Sequence, residues 1–187
     1  NHNSYLTMEE TALSGKTGFT NAAGYCYVGI VEEGEECYVV ALLACGWPNH
    51  KTYKWSDMDT LVEYGYKMYE VGTLEEVKVN EEDLDFVLIE NAQSDSLGSE
   101  VRISVKIVEH MEQEAYVKRV DENFSVNIQQ EKVLIAPVEE HLVVGTILYY
   151  LEEECIGKAE ILLANTNTIE TIDFWWCFCE IFKRLLV

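Results

Sequence analysis

Apolar residues between Tyr25 and Cys45 come in two bursts, YCYVGIV at 25–31 and CYVVALLAC at 37–45, separated by Glu32-Glu33-Gly34-Glu35. A short glycine-bearing link between two strand-grade runs predicts a β-hairpin. The second run is apolar on both faces, which predicts a central strand covered on both sides. Gly46-Trp47-Pro48-Asn49 then breaks the sheet. Met58, Leu61, Val62, Gly65, Tyr66 and Tyr69 recur at helical spacing, so a helix capped by Ser56 or Asp57 is predicted to run to about Tyr69.

Beyond Gly72 the period changes. Short strands separated by acidic turns are predicted at VKV 77–79, FVLI 86–89, VRISVKI 101–107 and AYVKRV 115–120. They continue at FSVNI 124–128, KVLIA 132–136, VVGTILYYL 143–151 and CIGKAEILLA 155–164. VRISVKI alternates strictly, with Val101, Ile103, Val105 and Ile107 on one face and Arg102, Ser104 and Lys106 on the other. Such a succession predicts an all-β sandwich as a second domain.

Residues 169–187 return to helical spacing. Glu170, Asp173, Cys177, Glu180 and Arg184 form one narrow stripe, and Phe174, Trp175, Phe178, Cys179, Phe182, Leu185 and Leu186 fill the opposite arc. The helix is too short and too charged to span a bilayer. It either docks on its own sandwich or lies in a membrane interface, with the aromatic arc in lipid and the Glu170, Asp173 and Glu180 stripe wet.

Charge narrows the choice of partners. Thirteen basic residues against 34 acidic ones give a net charge of −21 over 187 residues. Nucleic acid needs a basic face and is excluded as a partner. The six cysteines show no CxxC pair and no histidine spacing suited to zinc. His2, His50, His110 and His141 are scattered and receive no chemical role.

The candidate chemistry lies in Gly15-Lys16-Thr17-Gly18, ahead of the first strand-grade run. A phosphate loop would need glycine where Glu10 stands, and a helix where a strand follows, so that reading fails. Lys-Thr-Gly on a sheet strand is one of three motifs of the penicillin-recognising serine acyl transferases, beside Ser-x-x-Lys and Ser-x-Asn. The cation attracts the substrate carboxylate, the hydroxyl adds a directed hydrogen bond, and the glycine leaves the strand open to substrate.

SGKTGFTNAAGYCYVG, VVALLACGWPNHKTYKWSDMDTLVEYGYKMYE, APVEEHLVVGTI and the terminal aromatic helix together resemble the D-alanyl-D-alanine carboxypeptidases. These are the low-molecular-mass penicillin-binding proteins of peptidase family S11. The resemblance implies an α+β chain in three parts. Residues 1–70 would be the C-terminal part of a transpeptidase-like catalytic domain, an antiparallel sheet with a helix on one face. Residues 71–166 would be the β-sandwich, and 167–187 an amphipathic membrane-associating helix.

It further implies removal of the terminal D-alanine from peptidoglycan pentapeptides through an acyl-serine intermediate, with β-lactams as further ligands and no cofactor or metal. The implied location is the outer face of the bacterial cytoplasmic membrane, held peripherally. Carried over by position, Lys16 is the motif lysine and the backbone N–H of Phe19 an oxyanion-hole donor. Thr17 and Gly18 contact substrate, Thr20 supports the strand edge, and Lys54 stands near a basic position for the substrate carboxylate.

The sequence also departs from the pattern. No Ser-x-x-Lys occurs, and Ser125-Val126-Asn127 follows Lys16 where the family's Ser-x-Asn precedes it. The chain therefore reads as a fragment whose nucleophile lies upstream. Its sheet would expose an apolar face that helices of the whole enzyme cover, lowering stability or causing self-association. The rival reading is a non-catalytic, envelope-facing binding module with a membrane-docking helix. The oligomeric state is left open.

Overall fold

Strand-grade runs and one helical period account for most of what forms. The computed structural model describes residues 3–34, 36–109 and 115–185. A helical turn, α1 (Tyr5–Met8), precedes strands β1 (Ala12–Thr20), β2 (Gly24–Glu33) and β3 (Glu36–Leu42). Then come α2 (Tyr53–Met68) and β4 (Tyr69–Thr73). Two 3-10 turns, Leu74–Val77 and Glu81–Asp83, lead to β5 (Val87–Glu90), β6 (Val101–Ile103) and β7 (Val105–Glu109). After β8 (Ala115–Arg119) come β9 (Phe124–Gln130), β10 (Val133–Ile135), β11 (Val143–Leu151), β12 (Glu154–Leu163) and α3 (Phe174–Leu185).

The chain divides into two compact units, Asn1–Thr73 with Ala115–Glu122, and Leu74–Glu114 with Asn123–Val187. In the first, β1, β2 and β3 form an antiparallel sheet in that order. The predicted hairpin is present, but β2 is the central strand and β3 lies at an edge. One face of β3 is open: Cys37, Val39 and Ala41 are exposed, while Tyr38, Val40 and Leu42 turn inward. Cross-strand register extends this open face to Val28, and Val39 is 68% exposed. An apolar run on both faces of a strand thus did not bring two covers with it.

The other face carries the core. Tyr27, Val31 and Leu42 of the sheet pack with Tyr5 and with Trp55, Met58 and Val62 of α2. Tyr27 meets the Trp55 ring edge-on at 5.0 Å between centroids, and Tyr5 stacks on Trp55 at 6.0 Å. Buried Asn3 donates through Nδ2 to the Tyr27 hydroxyl at 3.3 Å. The helix starts three residues earlier than Ser56, at Tyr53, because Trp55 joins the buried stripe. Leu61, predicted inside, is exposed, since the stripe runs through Trp55, Met58, Val62 and Gly65.

Tyr66 of α2 packs edge-on against Tyr38, whose hydroxyl donates to Glu36 at 3.0 Å. Burial first, then that hydrogen bond, pushes the Tyr38 hydroxyl up to about 12. The folded state therefore holds this proton to higher pH than the unfolded chain does. Its contribution is intact below the ordinary tyrosine value near 10 and is lost as pH rises from there through 12. Tyr5 is raised in the same direction, by burial and then by a hydrogen bond to Asp59. The first unit should accordingly lose stability above about pH 10. Tyr38→Phe should make that loss shallower in a pH series of denaturant melts, and an unchanged slope would refute the assignment.

Strand β8 returns to pair antiparallel with β4, Tyr69 opposite Arg119. Its AYVKRV pattern groups it in sequence with the second β segment, but it belongs to the first unit, because backbone pairing is non-local and leaves no mark on the strand itself. Lys118, buried, donates to Glu70 and to the Glu122 carbonyl, which compensates its charge.

The second unit holds a four-stranded antiparallel sheet, β7-β12-β11-β9, and a three-stranded sheet, β10-β5-β6, in which β10 and β5 run parallel. Ile147, Tyr149, Ala159, Ile161 and Leu163 are fully buried from the larger sheet, and Val87 and Ile89 from the smaller. VRISVKI keeps its predicted alternation but is split at Ser104, so that β6 and β7 join different sheets. VKV at 77–79 is not a strand; its first residue closes a 3-10 turn. Gly145 lies opposite Gln130 and Ile161, and a Cβ there would fall 2.4 Å from the Gln129 carbonyl oxygen. Only glycine lets the three strands approach at that point.

Candidate active site on an edge strand

Lys16, Thr17 and Gly18 lie in the second half of β1, which pairs with β2 on one side only among the described residues. Register sets Lys16 opposite Val28, Thr17 opposite Tyr27 and Gly18 opposite Cys26. Pleating sends alternate side chains to opposite faces. Lys16 and Gly18 therefore share the open face with Val28, and Thr17 and Phe19 share the covered face with Tyr27 and Tyr25.

Lys16 is exposed, and among the described residues its Nζ donates locally, to the Thr17 carbonyl at 2.9 Å. Thr17 is half-buried. A Cβ on Gly18 would meet nothing within 4 Å, so the strand presents bare backbone beside the lysine. Gly15 has a different reason to be glycine: a Cβ there would fall 2.3 Å from the Tyr27 hydroxyl. One glycine of the motif thus serves the core, and the other leaves an open flank.

Phe19 packs its ring on Tyr25 at 4.6 Å. Thr20 closes the turn into β2 by accepting a hydrogen bond from the Ala23 N–H at 3.0 Å. Lys54, in the first turn of α2, is buried. Its ammonium sits 4.5 Å from the centroids of both Tyr25 and Trp55 and donates to the Lys51 carbonyl at 3.1 Å. Burial, then Lys51, lowers its pKa. Lys54 is thus joined through Tyr25 to Phe19, on the face opposite Lys16, and the two lysines do not converge.

The short α1 leaves no signal in the sequence. Its Tyr5 is 1% exposed and fills the core beneath Tyr27. Four residues carry too little periodicity to signal a helix.

The aromatic arc of α3 faces outward. Phe174 is 75% exposed and Trp175 69%, while Phe178, Phe182 and Leu185 are also exposed, joined by Ile181. Phe174, Phe178 and Phe182 stack in a row at 6.4 and 6.0 Å. Leu186 lies outside the described residues. The polar stripe differs from expectation at one point: Glu180 is buried at 7% exposure, where it accepts from Lys183, while Glu170 and Asp173 are exposed. Arg184 donates to the Leu97 carbonyl at 3.2 Å. The helix therefore turns part of its polar side toward its own unit and its aromatic side away. Among the described residues no helix is long and apolar enough to cross a membrane.

No family profile and no curated protein matches this sequence. In structure the chain is similar to the D-alanyl-D-alanine carboxypeptidase DacD from Francisella tularensis, at 22% identity and TM-score 0.47 over 92% of its length. It is also similar to penicillin binding protein 5 from Haemophilus influenzae, at 16% identity and TM-score 0.37 over 83%. A third likeness is to a peptidoglycan synthesis regulatory factor, PBP3, from Streptococcus pneumoniae, at 18% identity and TM-score 0.36 over 83%. The chain spans 39%, 41% and 42% of the length of those chains. Likenesses at these TM-scores carry no functional weight, which rests on the residues.

Proposed function

We propose that this chain supplies the Lys-Thr-Gly strand of a serine-type D-alanyl-D-alanine carboxypeptidase, acting on peptidoglycan pentapeptides and acylated by β-lactams. The observation that carries the reading is an exposed Lys16 beside an open Gly18 on a one-sided edge strand. An extended peptide end can add to such an edge through main-chain hydrogen bonds. Lys16 then attracts its terminal carboxylate from the open face, the Phe19 N–H polarises the carbonyl under attack, and the Thr17 hydroxyl, which points to the covered face, can add a hydrogen bond only by reaching round the free edge of the strand. The serine that forms the acyl intermediate, with its own base, must come from a Ser-x-x-Lys outside these 187 residues. Lys54, engaged with Tyr25 and Trp55, supports the strand end on which Phe19 sits.

The test is covalent labelling by a fluorescent penicillin of the longer protein that carries both Ser-x-x-Lys and this chain. Lys16→Ala should reduce the labelling rate by about 100-fold or more, the scale of losing an electrostatic contact to the reacting complex. Labelling of Lys16→Ala at the parent rate would remove Lys16 from the site.

The outward aromatic arc favours a second activity in the same chain, docking to a lipid surface through α3. An amphipathic helix lying in the headgroup region would bury Phe174, Trp175, Phe178, Phe182 and Leu185. That placement fits a peripheral protein on the outer face of a bacterial cytoplasmic membrane.

A further inference from the structure

The free edge of β1 has a direction, and Tyr25 shows which backbone groups stand on it. Tyr25 N–H donates to the Gly46 carbonyl at 2.9 Å, and its own carbonyl accepts from Cys45 N–H at 2.7 Å. Both groups therefore point away from β1. Phe19 lies opposite Tyr25, in a pair that exchanges no ladder bonds, so its N–H and carbonyl open on the free edge. Such pairs also bring side chains close, as the ring contact at 4.6 Å shows. Alternation puts the Thr17 carbonyl on the same edge, where Lys16 Nζ donates to it.

A peptide with its terminal carboxylate at Lys16 and its reacting carbonyl at Phe19 N–H runs antiparallel to β1. The part that precedes the scissile bond then passes Thr20 and comes beside the 21–23 turn. Lys16 to Thr20 spans about 13 Å of extended strand. Trp47 stands at that end. Its indole N–H donates to the Asn21 carbonyl at 3.1 Å, and His50 N–H donates to the Trp47 carbonyl at 2.7 Å. A Cβ on Gly24 would fall 3.3 Å from two carbons of the indole, so the ring lies against bare strand. Held in this way, Trp47 is still 45% exposed, and Phe19 41%.

Charge and hydrogen bonding decide what this end can take. The chain has 13 basic and 34 acidic residues, yet none falls within 17–31 or 37–50. Lys54, behind Tyr25, is already occupied by that ring and by Trp55. The indole N–H is spent on Asn21, so Trp47 offers ring surface alone. We propose that the Trp47 indole, with the Phe19 ring, is a specificity site for the acyl donor and takes an uncharged apolar or aromatic group carried ahead of the scissile bond. The assignment rests on the carboxypeptidase reading of the strand and adds to it the residues that select the donor.

The test uses the longer protein that carries both Ser-x-x-Lys and this chain. Two penicillins of one nucleus, bearing a phenylacetyl or an acetyl side chain, are compared by intact mass for their rates of covalent adduct formation. The phenylacetyl compound should acylate about tenfold faster, the scale of one aromatic contact. Trp47→Ala should bring the ratio close to one, and Trp47→Phe should restore most of it. Phe19→Ala, which leaves the Trp47 loop intact, should lower the ratio several-fold, so the proposal stays testable if Trp47→Ala misfolds. Lys16→Ala should slow both compounds and keep their ratio. Equal rates in the parent, or a ratio that survives Trp47→Ala and Phe19→Ala, would overturn the site and leave the carboxypeptidase reading in place. No adduct with either penicillin would remove both.

Discussion

Serine at both Trp175 and Phe182 is expected to release the protein from lipid vesicles that the parent chain binds. Both rings are more than half exposed on α3, and with Phe178 they form a continuous strip. Transfer of their apolar surface, at about 25 cal/mol per Å2, makes each ring worth about 2 kcal/mol. Losing two should then weaken vesicle binding by about a thousandfold. The body works in the opposite direction, since a chain of net charge −21 is repelled by anionic headgroups. Screening confines that repulsion to about 8 Å at physiological salt. Binding to anionic vesicles should therefore hold or strengthen as salt is added, and binding to zwitterionic vesicles should not change. Sedimentation with vesicles measures both. Parent-like sedimentation of the double variant, or release of the parent by salt, would show that the arc is not a lipid anchor.

Tyr27→Ala is expected to unfold the first unit while the second stays folded. Tyr27 has no exposed surface, and its ring meets Tyr5 and Trp55 while its hydroxyl accepts from Asn3. Aromatic-to-alanine changes in cores cost about 3–5 kcal/mol. The sheet here has one covered face, and Val28, Val39 and Leu43 gain nothing from burial on the other. A unit with half its apolar sheet in water has little reserve against such a loss. Hydrogen exchange should show β1–β3 unprotected in Tyr27→Ala and the β11–β12 pair unaffected. In the parent, the same sheet should exchange faster than the second unit, and the chain should self-associate through the open face as concentration rises. A variant that keeps full protection in residues 25–42 would mean that the core is sustained by contacts other than those of Tyr27.

Most strands and both longer helices were legible because each depends on local spacing. The strand-grade runs at 25–31 and 37–45 needed no knowledge of their partner, and the alternation in VRISVKI survived even where the strand divides between sheets. Lys16-Thr17-Gly18 was legible as a motif ahead of the first run, but its place on a separate strand, β1, paired antiparallel with β2, depends on that partner and was not. The destination of a strand is another matter. AYVKRV pairs with Tyr69–Thr73, some 45 residues upstream, and no local pattern distinguishes that partner from any other.

Burial was legible only as a set of candidates. Leu61 and Met58 are equally apolar, yet the stripe defined by Trp55 and Val62 takes Met58 inside and leaves Leu61 in water. Lys54 and Lys118 are buried because aromatic rings or a carboxylate surround them, an arrangement made from residues distant in the chain.

By itself the sequence determined the acidic character, the hairpin, the helical period of α2, the amphipathic tail and the Lys-Thr-Gly motif. These follow from residue type and from periods of two or 3.6, which act over a few neighbours. The tertiary structure decided that β3 is an edge, that Gly15 serves the core while Gly18 faces open space, and which side of α3 is turned outward. Each of these depends on what lies across from a residue, and pairing and packing bring together residues far apart in the chain.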